Sequence, residues 1–333
     1  GVRITIINKK KDIIYSSSNN KGYVLNKPNS WILICEDLLS NIPYEIKQKL
    51  ERISVSGTSG TLLACKINGN ALGDAIPYNK SCNENKQKLK NIAGQNEFLN
   101  NPFSGLAKAL KLVDMHGQDI LLRHQSDWIS GWLMNNWLYG EEGNNIKLGW
   151  NIINNSWPKS FKLNSWHKGL PEIKKSGLIL GSINKKLVQK LKLNSKLFIV
   201  AGTTDSNAAF IASEIKQDEG LTVLGTTLVL KKFIREPINY PGLSMHRVNQ
   251  EWICGGASNA GCGVISKFFS NSEIEDLSKQ INPLKETNLK YLPLNCEGER
   301  FPVNDPLLRP ILEPRPVSDA LFLQAIFEGL ANI

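Results

Sequence analysis

The sequence predicts a mixed α/β protein arranged as two domains. Strand-length apolar runs are interleaved with stretches of helical spacing along the chain. The strand–turn pattern restarts near residue 220, after a complete α/β run. The 333 residues also exceed the ~250–300 at which a single hydrophobic core stops growing.

Val2-Arg3-Ile4-Thr5-Ile6-Ile7 alternates and is β-rich, and a polar turn through Lys9-Lys10-Lys11 leads to Ile13-Ile14-Tyr15, which predicts a hairpin. Apolar positions at Trp31, Ile34, Cys35, Leu38 and Leu39, opened by Asn29-Ser30, predict an amphipathic helix over 29–50. Arg52 to Ser56 reads as a strand running into the polar loop Gly57-Thr58-Ser59-Gly60-Thr61, and Leu62 to Cys65 follows it. Asn68-Gly69 is a two-residue hairpin signal. Residues 100–195 read as mostly helical, with starts at Pro102-Phe103-Ser104-Gly105 and at Gln125-Ser126-Asp127-Trp128. Leu197 to Ala201 is a buried strand, and Asn207 to Ala212 is a helix directly after Asp205. Lys216 to Gly220 reads as a linker, which divides the chain into domains of 1–216 and 217–333. Beyond it come the strands Leu221 to Leu224 and Leu228 to Leu230, and then Trp252-Ile253-Cys254.

Composition narrows the function. The chain is 41% hydrophobic and 21% charged, as ordinary globular proteins are. Its longest apolar runs, such as Leu197 to Ala201, fall far short of the ~20 residues of a membrane helix, so no membrane partner is expected. No secretory leader pattern precedes the first strand. Six cysteines are scattered without a C-x-x-C pair, and four histidines lack ligand spacing. This usage fits reduced thiols in a cytoplasmic protein and gives no metal site. The net charge of +10 is spread along the chain rather than clustered, so no nucleic-acid partner is expected.

Four segments carry candidate chemistry. Asp205 ends a buried strand and heads a helix, where the helix dipole favours a charged carboxylate. A plain N-cap would place aspartate the same way. Gly225-Thr226-Thr227 lies between two apolar strands and offers N–H and hydroxyl groups suited to phosphate oxygens, as well as to an ordinary turn. Gly255 to Gly261 reads as a glycine-rich turn between the strand ending at Cys254 and a helix over Val264 to Phe269. Such a turn presents N–H groups to an anion or serves close packing equally well. It is neither a Walker A loop nor a dinucleotide loop. Ser56 to Thr61 is a hydroxyl-rich loop suited to a polyol or to solvent. Tyr78-Asn79 and Lys108 are further polar candidates, more readily explained as structural.

Taken in order, these pieces resemble the FGGY carbohydrate kinases. The matching segments are Ser56 to Thr61, Tyr78-Asn79, Gln125 to Trp128, Lys147-Leu148-Gly149, Gly202 to Ser206, Leu224 to Thr227, Gly255 to Asn259, Gly298 to Pro302 and Phe327 to Leu330. They are particularly similar to the cyanobacterial D-ribulose kinase branch and its plant xylulose-kinase-like relatives. The resemblance implies an actin-like ATPase (ribonuclease H-like) fold of two domains with mixed sheets flanked by helices. It implies ATP-dependent phosphorylation of a ketopentose, D-ribulose in the first instance, with Mg2+. Asp205 falls on the family's catalytic base; Gly1, Arg3, Ser59 and Asp205 fall on sugar-site positions. Gly225, Thr226, Thr227, Gly256 and Asn259 fall on nucleotide-site positions.

Three departures accompany the match. Of the family's first phosphate loop, Asp-x-Gly-Thr-Ser/Thr-Gly, only the final glycine is present, as Gly1. The sequence ends at Ile333, ahead of the family's Gly-Gly-Gly-Ala adenosine loop. Tyr78-Asn79-Lys80-Ser81-Cys82 stands where xylulokinases carry Asn-Asp-x-Arg, which favours ribulose over xylulose. The alternatives are a D-xylulose or other sugar kinase of the same family, or a sugar- or nucleotide-binding chain without turnover.

Overall fold

A computed structural model describes residues 1–333. The chain folds into two compact units. One comprises Gly1–Ala209 with Arg247–Gln250, the other Phe210–His246 with Glu251–Ile333.

The first unit opens with the strands β1 (Val2–Ile7) and β2 (Ile13–Asn19), paired antiparallel. Helix α1 (Pro28–Ser40) follows, then the single turn α2 (Tyr44–Lys47). The helix expected over 29–50 is therefore broken. Pro43 has no N–H for the ladder and biases Ile42 away from helical backbone, so α1 closes at Asn41 and α2 begins beyond the proline. Next come β3 (Arg52–Ser54), β4 (Leu62–Cys65), α3 (Lys86–Ala93), α4 (Gly105–His116), β5 (Leu121–His124) and α5 (Gln125–Met134). Ser104 caps α4 by accepting from the Ala107 N–H at 3.1 Å. Beyond α5 lie β6 (Tyr139–Glu141), α6 (Glu142–Asn145), β7 (Glu172–Lys174), β8 (Ile179–Ser182), α7 (Lys185–Leu191), β9 (Phe198–Val200) and α8 (Asp205–Ala212).

The segment read as mostly helical thus holds four short strands. Each is only three or four residues long, too brief for periodicity to declare itself. β3 and β9 pair in parallel, with β8 antiparallel on the far side of β9, and β4 pairs β5. Leu106, Leu110, Leu122, Phe161 and Trp166 form one buried cluster. Leu39, Leu133, Leu187, Leu197 and Ile199 form another, packing α1, α5 and α7 around β9. This second cluster fixes the carboxyl ends of β3 and β9, from which the site loops emerge.

The second unit is a four-stranded antiparallel sheet in the order β10 (Gly220–Leu224), β11 (Leu228–Ile234), β13 (Glu251–Ala257), β12 (Leu243–Val248). Helices α9 (Asn271–Ser278) and α10 (Asp319–Ala331) complete it. Phe269, Tyr291, Phe322, Leu323 and Ile326 make its core. Two expectations are corrected here. Gly255 and Gly256 are not in a turn but in strand β13, opposite Lys231 and Leu230. A side chain at Gly256 would meet the Phe301 ring at 2.6 Å, so glycine serves ring packing. The helix expected over Val264 to Phe269 shrinks to a 3-10 turn at Ile265–Lys267, because Ser270 and Glu273 form a capping box that starts α9 immediately afterwards. No helix of the structure is long and apolar enough to cross a membrane, and all six cysteines are free.

Candidate active site

Strand β9 ends at Val200 and the chain turns through Ala201-Gly202-Thr203-Thr204 into α8. Gly202 is required by close approach, since a Cβ there would lie 2.1 Å from the Val55 carbonyl oxygen. Thr204 is 2% exposed and acts as the cap, its hydroxyl accepting from the Asn207 N–H at 3.2 Å. Beneath it the Asn207 side chain is fully buried and donates to the Thr203 hydroxyl at 3.4 Å. Capping is therefore done by Thr204, and Asp205 occupies the first helical position with an exposed side chain. Its carboxylate accepts only the neighbouring Ser206 N–H, at 2.8 Å. The carboxylate sits at the positive end of the helix with most of its acceptor capacity open.

The hydroxyl loop Ser56 to Thr61 leaves β3 alongside. Gly57 bridges Thr204 in parallel, and its carbonyl accepts the Asp205 N–H at 3.2 Å. Asp205, Arg3, Ser56, Thr58 and Gln125 then line a cavity of about 410 Å³, together with Gly1 and apolar side chains that include Trp31, Ile129 and Trp132. A volume of this size suits a small ligand. Gly1, Arg3 and Asp205 are thus brought to one cavity. Ser59 is in the same loop, half-buried and one residue beyond the lining.

Gln125 was legible only as part of a motif, yet the loop depends on it. Its Oε1 accepts from both the N–H and the hydroxyl of Thr58, each at 3.0 Å. Its own N–H donates to the Thr61 carbonyl at 3.1 Å. Asp127, two residues on, is buried and accepts from the Glu141 N–H and the Asn145 amide, each at 2.9 Å, which ties the start of α5 to β6 and α6. Burial raises the Asp127 carboxyl to about 6 and that of Glu141 to about 8, against the hydrogen bonds each accepts. His124 is fully buried with Nδ1 at 3.3 Å from the Thr61 carbonyl oxygen, and burial lowers it to about 3, so it is neutral there. Lys108, also fully buried, donates to the carbonyls of Tyr78 and Phe103 at 3.1 and 2.8 Å, and burial lowers its ammonium to about 8. The Tyr78 N–H in turn donates to the Thr61 hydroxyl at 3.2 Å. Lys108 therefore acts as a structural pin for the loop, as does Tyr78 through its backbone.

In the second unit, Gly225-Thr226-Thr227 joins β10 to β11. The turn is fixed from behind, with the Thr226 carbonyl accepting from the Gly263 N–H at 3.2 Å and the Asn295 amide at 2.6 Å. Thr226 is exposed and Thr227 half-buried. The N–H and hydroxyl groups of these two threonines carry no internal hydrogen bond. Asn259 is differently placed. Its amide donates to the Gly298 carbonyl at 2.7 Å and its N–H to Glu299 at 2.8 Å, while Glu299 also accepts the Ser258 hydroxyl at 2.5 Å. Gly256 lies under Phe301. Both positions take part in packing the second unit. No group of three or more His, Cys, Asp or Glu side chains is arranged to hold a metal ion. A magnesium ion brought by a nucleotide asks for little more than one protein carboxylate, because phosphate and water fill most of its shell.

No family model matches the chain. In sequence it is similar to xylulose kinase of Lactococcus lactis subsp. lactis (strain IL1403), with 26% identity over 242 residues, covering 67% of this chain and 48% of that protein. The chain thus spans about half the length of this curated relative. In fold it is similar to Plasmodium falciparum glycerol kinase solved with ADP, at TM-score 0.77 and 18% identity, covering 99% of this chain and 74% of that one. Xylulose kinase from Rhodospirillum rubrum matches at TM-score 0.79 and 14% identity, with coverage of 99% and 74%. Ligand-bound xylulose kinase from Lactobacillus acidophilus matches at 0.75 and 16%, with coverage of 98% and 73%. The chain has the actin-like ATPase fold found in these sugar kinases, with mixed sheets flanked by helices.

Proposed function

We propose that this chain belongs to the FGGY carbohydrate kinases and transfers the γ-phosphoryl group of ATP to the terminal hydroxyl of a ketopentose, with Asp205 as general base. The observation that carries the reading is the division of labour at the start of α8. Thr204 caps the helix, which leaves the Asp205 carboxylate exposed at the helix N-terminus and on the wall of a sugar-sized cavity. Phosphoryl transfer asks the protein for alignment and charge stabilisation more than covalent chemistry. Asp205 would accept the proton of the attacking hydroxyl. Ser59, Arg3 and the backbone at Gly1 would orient the sugar around it. In the second unit, the turn Gly225 to Thr227 would receive phosphate oxygens through the free N–H and hydroxyl groups of its two threonines. Bound ATP supplies the phosphoryl group, and its magnesium ion neutralises phosphate charge.

D-Ribulose is the proposed substrate, supported by Tyr78-Asn79-Lys80-Ser81-Cys82 in place of the Asn-Asp-x-Arg of xylulokinases. The similarity to xylulose kinase favours D-xylulose as the second reading. ADP release measured against D-ribulose, D-xylulose, L-ribulose and glycerol separates them. Asp205→Ala should lower kcat by at least about a hundredfold, the usual worth of a general base, with thermal unfolding unchanged. Turnover of that variant within threefold of wild type refutes the assignment. Inertness of the wild-type chain toward all four, with sugar or nucleotide binding retained, supports a binding protein instead.

A further inference from the structure

The kinase reading assigns sugar contact to Ser59 and proton acceptance to Asp205, but it says nothing of what holds these two in register. The hydrogen bonds around the loop answer this. Thr58 to Thr61 is a single tight turn, closed by the Thr61 N–H donating to the Thr58 carbonyl at 3.2 Å. Gln125 grips both of its ends. The side-chain Oε1 takes two bonds from Thr58, and the backbone N–H reaches the Thr61 carbonyl. Ser59 lies between the gripped residues. The residue before the turn, Gly57, accepts the Asp205 N–H. Gln125 itself is 6% exposed and faces the cavity, and its base on α5 is anchored by the buried Asp127. Its Nε2 has one distant partner, the Tyr23 hydroxyl at 3.4 Å, so the strong contacts of the amide are those made by its oxygen.

We propose that Gln125 is a positioning residue of the sugar site: its amide oxygen and backbone N–H fix the Thr58–Thr61 turn, and so fix the place of Ser59 in the loop that Gly57 ties to Asp205. This rests on the kinase reading for its consequence in catalysis, though not for its consequence in the loop. Gln125 never touches the transferred phosphoryl group. It acts on the sugar through Thr58 and Ser59. A carboxylate at this position keeps an acceptor with two or more lone pairs for Thr58, whereas leucine leaves the Thr58 N–H and hydroxyl facing an apolar group.

The experiment compares wild type, Gln125→Leu and Gln125→Glu by amide hydrogen exchange and by steady-state kinetics. In Gln125→Leu, exchange of the peptide spanning 57–61 should quicken by about tenfold, the worth of the hydrogen bond lost by the half-buried Thr58 N–H, while peptides from β9 and α4 keep their rates. The KM for the ketopentose should rise about tenfold, with the KM for ATP within twofold of wild type. Gln125→Glu should bring both readouts back to within about threefold of wild type. Unaltered exchange at 57–61 in Gln125→Leu overturns the proposal. Equal impairment of the leucine and glutamate variants does so too, as does a parallel loss in both KM values with lowered thermal stability, which marks a merely structural role. If the wild-type chain turns over none of the sugars, the kinase reading fails on its own account, and the exchange measurement alone decides whether Gln125 governs the loop.

Discussion

Acidification tests the architecture beneath the Ser56 to Thr61 loop through one buried ring, that of His124. His124 is fully buried, with Nδ1 against the Thr61 carbonyl oxygen and Nε2 without a partner. Burial lowers it from an ordinary 6.5 to about 3. The sign follows from that direction. Below pH 6.5 the unfolded chain protonates this histidine while the folded chain does not, so the stability supplied by the neutral ring is lost as pH falls toward 3. The loss is about 1.4 kcal/mol per pH unit and reaches about 4–5 kcal/mol at the acid limit. The buried carboxyls of Asp127 and Glu141 pull the other way, since their raised values favour the protonated folded state at low pH. A variant that removes only the histidine isolates its share. His124→Asn, compared with wild type by urea unfolding from pH 7 to pH 4, should flatten the acid limb. The gap between the two stabilities should change by about 3 kcal/mol over the range from 6.5 to 4. Parallel curves, or a His124 ring that titrates near 6.5 by NMR, refute a neutral buried ring under the loop.

Two further expectations concern the supports of the candidate site. Thr204→Ala removes the cap of α8 and should cost about 1 kcal/mol by denaturant unfolding; Thr204→Ser should restore it, and an alanine variant as stable as wild type would return the capping role to Asp205. In the second unit, Glu299→Ala strands the buried Ser258 hydroxyl and the Asn259 N–H and should lower stability by about 2–6 kcal/mol, at about 1–3 kcal/mol for each group left unpaired. A loss under about 0.5 kcal/mol would mean that water reaches these groups and that the Gly298 to Phe301 segment is free for another role.

What could be read ahead of the structure follows how local the determining physics is. The opening hairpin, the strand before Asp205 and the β10–β11 turn are written in adjacent residues, through alternation and glycine, and each formed where expected. The helix over 29–50 failed at one residue, because a strong apolar period outweighed the proline at 43 that ends it. The glycines at 255 and 256 failed for a different reason. Glycine signals a turn or a close approach with the same letter, and the partners that decide between them, the facing strand at Leu230 and Lys231 and, for Gly256, the ring of Phe301, are distant in sequence. The same limit applied to Asp205. Locally an N-cap and an exposed carboxylate are one pattern; what separates them is where the backbone enters the helix, which here makes Thr204 the cap and leaves Asp205 in the first turn. Gln125 was least legible of all, since nothing in its neighbourhood indicates that its oxygen meets Thr58, a residue 67 positions earlier. The local sequence thus supplies the groups that can meet a substrate, while the groups that fix their geometry are defined by long-range contact. That is why Asp205 could be singled out from the sequence as the candidate base, and why Gln125, the residue proposed to position the loop beside it, emerged only with the fold.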